Sequence, residues 1–219
     1  MRIRAELQDW NVTPAEAREV QRALADRVEL VDALSLDDIH VVAGVDNGYV
    51  KRPEGTTGYA AAVAFTFPEL EPVETVIGSA PVTFPYIPGL LSFREAPAVM
   101  AALERLSVEP DVILFDGQGY AHPRRIGFAS HMGVILDCPS VGCAKSRLIG
   151  QYEEPADEFG AWTPLIDHDE VIGAAVRTRV GHSPLFVSPG TKVSVEGAVA
   201  ITLACCRDNR FVPVPTRAA

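Results

Sequence analysis

Asp111-Val112-Ile113-Leu114-Phe115-Asp116-Gly117-Gln118-Gly119-Tyr120-Ala121-His122-Pro123-Arg124 decides the reading of this chain. The apolar run between the two aspartates describes a strand buried on both faces. It stops on a carboxylate and opens into a glycine-rich polar loop, the kind of junction where α/β folds place ligands and chemistry. Glycine lets backbone approach a ligand, and Arg124 and Arg125 offer guanidinium groups to phosphate oxygens.

Upstream, Thr13-Pro14-Ala15-Glu16 predicts a helix start, with Thr13 as cap, proline at the first helical position and glutamate three residues after the cap. Val20, Leu24, Val28 and Val31 space its apolar stripe. Residues 39–45, 59–67 and 73–82 read as strands. Turn residues separate them (Arg52-Pro53-Glu54-Gly55, Pro68-Glu69), so they form an antiparallel meander. Residues 90–106 are helical. The start stays open between a capping box, Ser92-x-x-Glu95, and a start near Arg94 or Glu95 that puts Pro97 in the tolerant first turn. Downstream come a helix over 124–136 and a short buried strand over 140–144 that runs into Lys145. A hairpin follows, over 162–167 and 171–179, around Asp167-His168-Asp169-Glu170. Then come a strand at 185–187 and a helix over 195–206 capped by Ser194. Residues 207–219 are expected to fray. The order predicts one α/β domain over 1–219, with a mixed central β-sheet flanked by helices on both faces.

Hydrophobic residues make up 47% of the 219, enough for a real core, and no apolar run approaches the ~20 residues of a membrane span. The N-terminus lacks the long apolar segment of a secretory signal, and the four cysteines form no C-x-x-C pair. A cytoplasmic protein with reduced, buried thiols and no membrane contact is expected. The net charge of −10 argues against long-range attraction to nucleic acid. It leaves room for a local basic cleft made by Arg124, Arg125, Lys145, Arg147 and Lys192, all beside candidate site loops.

Three carboxylates stand at junctions. Asp46 ends the first strand, Glu95 begins the helix after the meander, and Asp116 ends the fourth strand. If strands one and four are neighbours, the three converge. Convergent carboxylates repel one another unless a cation neutralises them, and an all-oxygen set suits Mg²⁺ or Mn²⁺. Such ions bind substrate phosphates and activate water for in-line attack.

On these residues the chain resembles the endonuclease V family of deaminated-base repair nucleases, which have a ribonuclease H-like fold. The resemblance covers about residues 35–200. Its carriers are Val42-Ala43-Gly44-Val45-Asp46, Pro85-Tyr86-Ile87-Pro88-Gly89-Leu90-Leu91-Ser92-Phe93-Arg94-Glu95, Asp116-Gly117-Gln118-Gly119 through His122-Pro123-Arg124, and Gly142-Cys143-Ala144-Lys145-Ser146-Arg147-Leu148. It implies that Asp46, Glu95 and Asp116 bind Mg²⁺, with Mn²⁺ as substitute. Lys145 stands near the scissile phosphate, and Tyr86 is a wedge inserted beside the lesion. Gly89, Leu91, His122, Gly127 and Leu148 line a pocket for the flipped-out base. Tyr86 between prolines is rigid, as stacking on a base requires. The implied reaction hydrolyses the second phosphodiester bond 3′ to inosine in single- or double-stranded DNA and leaves 5′-phosphates; inosine-containing RNA is the alternative substrate. A monomer is expected.

Two positions depart from the pattern. Thr191 stands after Ser188-Pro189-Gly190, where the resemblance leads one to expect a histidine at the metal site, and Gln118 stands where histidine is frequent. Three readings stay open: Thr191 holds a metal-bound water, His182 or Lys192 substitutes, or catalysis is impaired and the protein only binds lesions. An unrelated small-molecule phosphate-ester hydrolase suits the acidic charge but leaves Tyr86 unexplained.

Overall fold

The computed structural model describes residues 9–207 and 210–219. A long hairpin, β1 (Val41–Arg52) and β2 (Gly55–Thr66), is followed by β3 (Pro72–Pro81). Then come β4 (Val112–Phe115), β5 (Ser140–Ala144), β6 (Trp162–Asp167), β7 (Glu170–Val176) and β8 (Leu185–Thr191). They form one sheet in the order β3-β2-β1-β4-β5-β8-β7-β6. β1, β4 and β5 are parallel and every other neighbouring pair is antiparallel.

β4 shows why the sheet needs cover on both sides. Ile113 and Phe115 enter the core beneath α2 (Leu91–Leu103) and α3 (Phe128–Leu136), whereas Val112 and Leu114 face α4 (Val195–Ala204) and the C-terminal segment. Alternating side chains thus bury both faces of one strand. The expected mixed sheet with helices on both faces is the fold observed.

α1 (Pro14–Ala25) starts as the sequence predicts: Thr13 and Glu16 form a reciprocal capping box, and Pro14 opens the helix. Its buried face differs. Ala17, Gln21 and Leu24 are covered, while Val31 lies beyond the helix and is exposed. α2 begins at Leu91, so neither proposed start holds, and Pro97 lies inside it. Leu90 is buried against Phe84 and Phe93, and its amide closes a turn on Ile87 O, which fixes the entry of the helix before any capping box can act. α3 starts four residues later than expected, because Arg125 adopts a left-handed conformation (φ 56) that a helix cannot include.

β1 also runs beyond Asp46, to Arg52, paired with β2 throughout. Asp46 therefore ends the parallel pairing with β4, not the strand. The tail is not frayed where it is described. Val214–Ala218 forms a short helix, α5, packed over β1, and Pro215 and Thr216 are buried. Gly44 makes that contact possible, since a Cβ there would lie 2.0 Å from the Pro215 carbonyl carbon. Gly44→Val is expected to expel α5 and cost about 1–3 kcal/mol, read as a lower denaturation midpoint. No helix among the described residues is long and apolar enough to cross a membrane.

Candidate active site

Val45 pairs with Phe115 across the parallel junction, so Asp46 and Asp116 are the next residues on adjacent strands. Glu95 reaches the same corner from the second turn of α2. Burial, opposed by a hydrogen bond from Tyr49 and reinforced by the charges of Asp46 and Asp116, pushes the Glu95 carboxyl up to about 7. Strands one and four are neighbours, as the sequence reading required, and the helix that carries Glu95 lies in the connection between them, packed chiefly on β2 and β3.

Each carboxylate is turned to a protein donor. Asp46 Oδ1 accepts from Asn47 N at 2.8 Å, Glu95 Oε1 accepts from Tyr49 Oη at 2.7 Å, and Asp116 Oδ2 pairs with Lys145 Nζ. Among the described residues no three histidine, cysteine, aspartate or glutamate side chains close into a set that could hold a metal ion. At this corner the three groups are each engaged by their own partner rather than gathered on a common point. The corner is electrostatically crowded: the charges of Asp46 and Asp116 add to burial in raising Glu95 to about 7, while Lys145 offsets Asp116. The donor chemistry still fits a hard divalent cation, since every group is oxygen and the mutual repulsion is what a cation relieves. Binding would exchange the Tyr49 hydroxyl and the Lys145 ammonium for the ion.

Beside this corner lies a cavity of about 310 Å³. Gly89, Leu91, His122, Gly127 and Leu148 all line it, together with Tyr86, Asp116 and Lys145. Asp46 and Glu95 do not line it. Tyr86 is 71% exposed, held on a loop whose ends, Phe84 and Leu90, are buried. Gly127 is required by packing, because a Cβ would meet Gln118 O at 2.4 Å. His122 is buried, and burial with neighbouring Arg124 lowers it to about 4, so the ring is neutral. Gln118 Nε2 donates to Ser146 O at 2.8 Å, while its Oε1 is buried without a partner.

Other candidates lie elsewhere or are otherwise engaged. β8 runs antiparallel to β5, so Thr191 pairs with Ser140 at the start of β5, at the opposite end from Lys145. Thr191 is 2% exposed, and its hydroxyl accepts from Glu29 N at 3.0 Å. Lys192 binds Asp137 Oδ1 at 2.7 Å at that same far end. Neither stands at the carboxylate corner, so Thr191 cannot hold a metal-bound water there and Lys192 cannot substitute. His182 stacks on Phe211, with centroids 6.2 Å apart. Arg125 is held by Asp167, Glu170 and the His122 carbonyl, and Arg124 by Gln21 and the Gly89 carbonyl. Of the five expected basic residues, Lys145 and Arg147 remain on the cavity wall with exposed side chains.

Sequence reasoning missed Tyr49, which binds Glu95 and carries the Arg94 guanidinium 4.7 Å above its ring. Its only trace was a tyrosine three positions after Asp46, between the first strand and the turn at Arg52-Pro53-Glu54-Gly55. Asn47, whose side chain reaches Glu95 O at 3.5 Å, left no trace at all.

The geometry matches known proteins over nearly the whole chain. The endonuclease V family model matches residues 22–219. An endonuclease V from Roseiflexus sp. is 49% identical over 212 residues, covering 97% of this chain and 92% of the relative. The crystal structure of the Bacillus subtilis endonuclease V superposes with a TM-score of 0.94 at 31% identity, covering 100% of this chain and 94% of that one. The Ciona intestinalis endonuclease V, crystallised with a 24mer DNA containing an inosine followed by a ribo-adenosine, gives a TM-score of 0.80 at 28% identity over 94% of this chain and 93% of that one. The ribonuclease H-like sheet, the corner of carboxylates and the length of these matches agree: the chain belongs to the endonuclease V family, a family of nucleases and therefore of hydrolases.

Proposed function

We propose that this protein is a divalent-metal-dependent endonuclease that recognises inosine and related deaminated bases in DNA. It hydrolyses the second phosphodiester bond 3′ to the lesion, acting as a monomer in the cytoplasm. The observation that carries the reading is the cavity that opens between the exposed Tyr86 ring and the Asp116–Lys145 pair. A base extruded into it would leave the neighbouring backbone beside the carboxylates.

Asp46, Glu95 and Asp116 would hold Mg²⁺, with Mn²⁺ as substitute; the ion would neutralise phosphate charge and lower the pKa of attacking water. Lys145, released from Asp116, would set its ammonium against the developing charge on the phosphate. Neutral His122 contributes shape and hydrogen bonds to the cavity wall, not acid–base chemistry. The orphan Gln118 Oε1 would be satisfied by an N–H on the edge of the bound base. Tyr86 would fill the gap left in the stack, where base–aromatic stacking is worth ~1–3 kcal/mol. Inosine-containing RNA is a second reading, favoured by the ribo-adenosine that follows inosine in the Ciona complex. Thr191, paired with Ser140 at the far end of β5, lends no support to the impaired, binding-only reading.

The test is incubation of end-labelled DNA and RNA strands, each with or without one inosine, in Mg²⁺ or Mn²⁺. An inosine-dependent nick is expected, and its absence under every condition sinks the proposal. Tyr86→Ala is expected to weaken inosine-DNA binding by about 10–100-fold, the equivalent of that stacking energy, with an unchanged denaturation midpoint.

A further inference from the structure

The carbonyl of Gly89 is surrounded by donors. Gln21 Nε2 reaches it at 3.0 Å, His122 Nε2 at 3.0 Å and Arg124 Nη2 at 2.8 Å. A carbonyl oxygen has two lone pairs, so three donors, one of them cationic, saturate it and fix the orientation of its peptide plane. Gly89 itself is at φ +79, and a Cβ there would approach Arg124 Nη2 at 3.0 Å and His122 Nε2 at 3.3 Å. The position admits only a residue without a side chain. At the other end of the same loop, the Phe84 carbonyl accepts from Arg94 Nη1 at 2.7 Å. Tyr86 is presented between these two clamps.

Gln21 joins the parts. It is 1% exposed, an amide buried in the face of α1 where an apolar residue would ordinarily lie. Its Oε1 accepts from Arg124 Nε at 2.6 Å, and its Nε2 faces Gly89 O and, at 3.4 Å, Ile126 O. Both ends of one carboxamide are used, which fixes its orientation. The Arg124 amide donates to His122 Nδ1 at 3.2 Å, so Nε2 carries the ring proton offered to Gly89. Gln21 also lines the cavity.

We infer that Gln21 is a positioning residue: from α1 it sets the spacing between the Tyr86 loop and the His122–Arg124 loop, and with it the width of the base cavity. The assignment rests on the proposed reading of that cavity. α1 is then a working part of lesion recognition rather than a cover for the core. Gln21 touches neither carboxylate nor scissile phosphate in this scheme; it acts through Gly89 and Arg124.

Gln21→Glu is the sharp variant. It keeps an acceptor for Arg124 but turns an oxygen toward the Gly89 carbonyl in place of the donor. Gln21→Met removes both interactions at similar volume. Hydrogen exchange of the free protein, mass-resolved over 84–91, reads the loop without DNA. The Leu90 amide, bonded to Ile87 O at 3.0 Å, is expected to exchange about tenfold faster in both variants, with β1 and β4 unchanged. Single-turnover cutting of inosine DNA is expected to fall about tenfold, while affinity for undamaged duplex stays within about twofold. Unchanged exchange over 84–91 overturns the inference, as does loosening spread equally over the sheet, or a loosened loop with an unchanged inosine rate. A wild-type protein that never cuts inosine strands would sink the nuclease reading instead. The exchange comparison would still decide whether Gln21 holds the loop.

Discussion

Asp116→Asn is expected to reduce inosine-dependent cutting by about a thousandfold or more, the scale seen when a group acting in the transition state is removed. Asparagine keeps the shape but offers a neutral oxygen, a poor ligand for a hard cation. It also leaves Lys145 without the anion that orients it. The fold should persist. The Lys145 side chain is 55% exposed, and a pair so open to water contributes at most ~1 kcal/mol. Single-turnover rates beside a denaturation midpoint check both halves. Cutting at the wild-type rate would remove Asp116 from the proposed centre.

The second large effect is on pH dependence. Glu95 titrates near 4.5 in an unfolded chain and at about 7 in the folded protein. Below 4.5 both states hold the proton, and the residue costs nothing. Between 4.5 and 7 the unfolded chain releases the proton while the folded one keeps it, so stability of the metal-free protein falls as pH rises. Above 7 the cost is constant, about 2 kcal/mol once partial exposure is allowed for. Glu95→Gln should therefore raise the midpoint at pH 8 by about 5 °C and leave it unchanged at pH 4.5, with Tyr49 still bonded to the amide oxygen. Added Mg²⁺ should reverse the order. It must displace the Glu95 proton, so apparent affinity falls about tenfold per pH unit below 7 in the wild type. The variant should gain little from Mg²⁺ at any pH. A midpoint for Glu95→Gln that tracks the wild type at both pH values would show that the carboxyl is not strained by its neighbours.

Much of the fold was legible locally. Residues 112–115 alternate between two cores, as an apolar run bounded by charges must when both faces are covered. Thr13-Pro14-Ala15-Glu16 closes its capping box, and Ser194 caps α4, because capping depends on only a few adjacent residues. β5 spans 140–144 as read, and the hairpin turns around Asp167–Glu170. Less legible were features set by distant partners. α5 exists because Gly44 leaves room for Pro215. The buried Gln21 broke the apolar stripe expected of α1 because its partners, Gly89 and Arg124, lie 68 and 103 residues away.

The site divides the same way. Sequence alone determined that Asp46 and Asp116 each follow a buried apolar run; the parallel pairing of β1 with β4 then brings the two to one edge. Only the tertiary structure decided which partners these carboxylates take, because Tyr49 comes to Glu95 Oε1 and Lys145 to Asp116 Oδ2. It alone decided which basic residues stay available, since Arg124 and Arg125 are bonded inside the protein. And it alone removed Thr191 from the centre. The direction of a strand is set by its pairing, not by its letters, and the antiparallel run of β8 carries its last residue to the far end of the sheet.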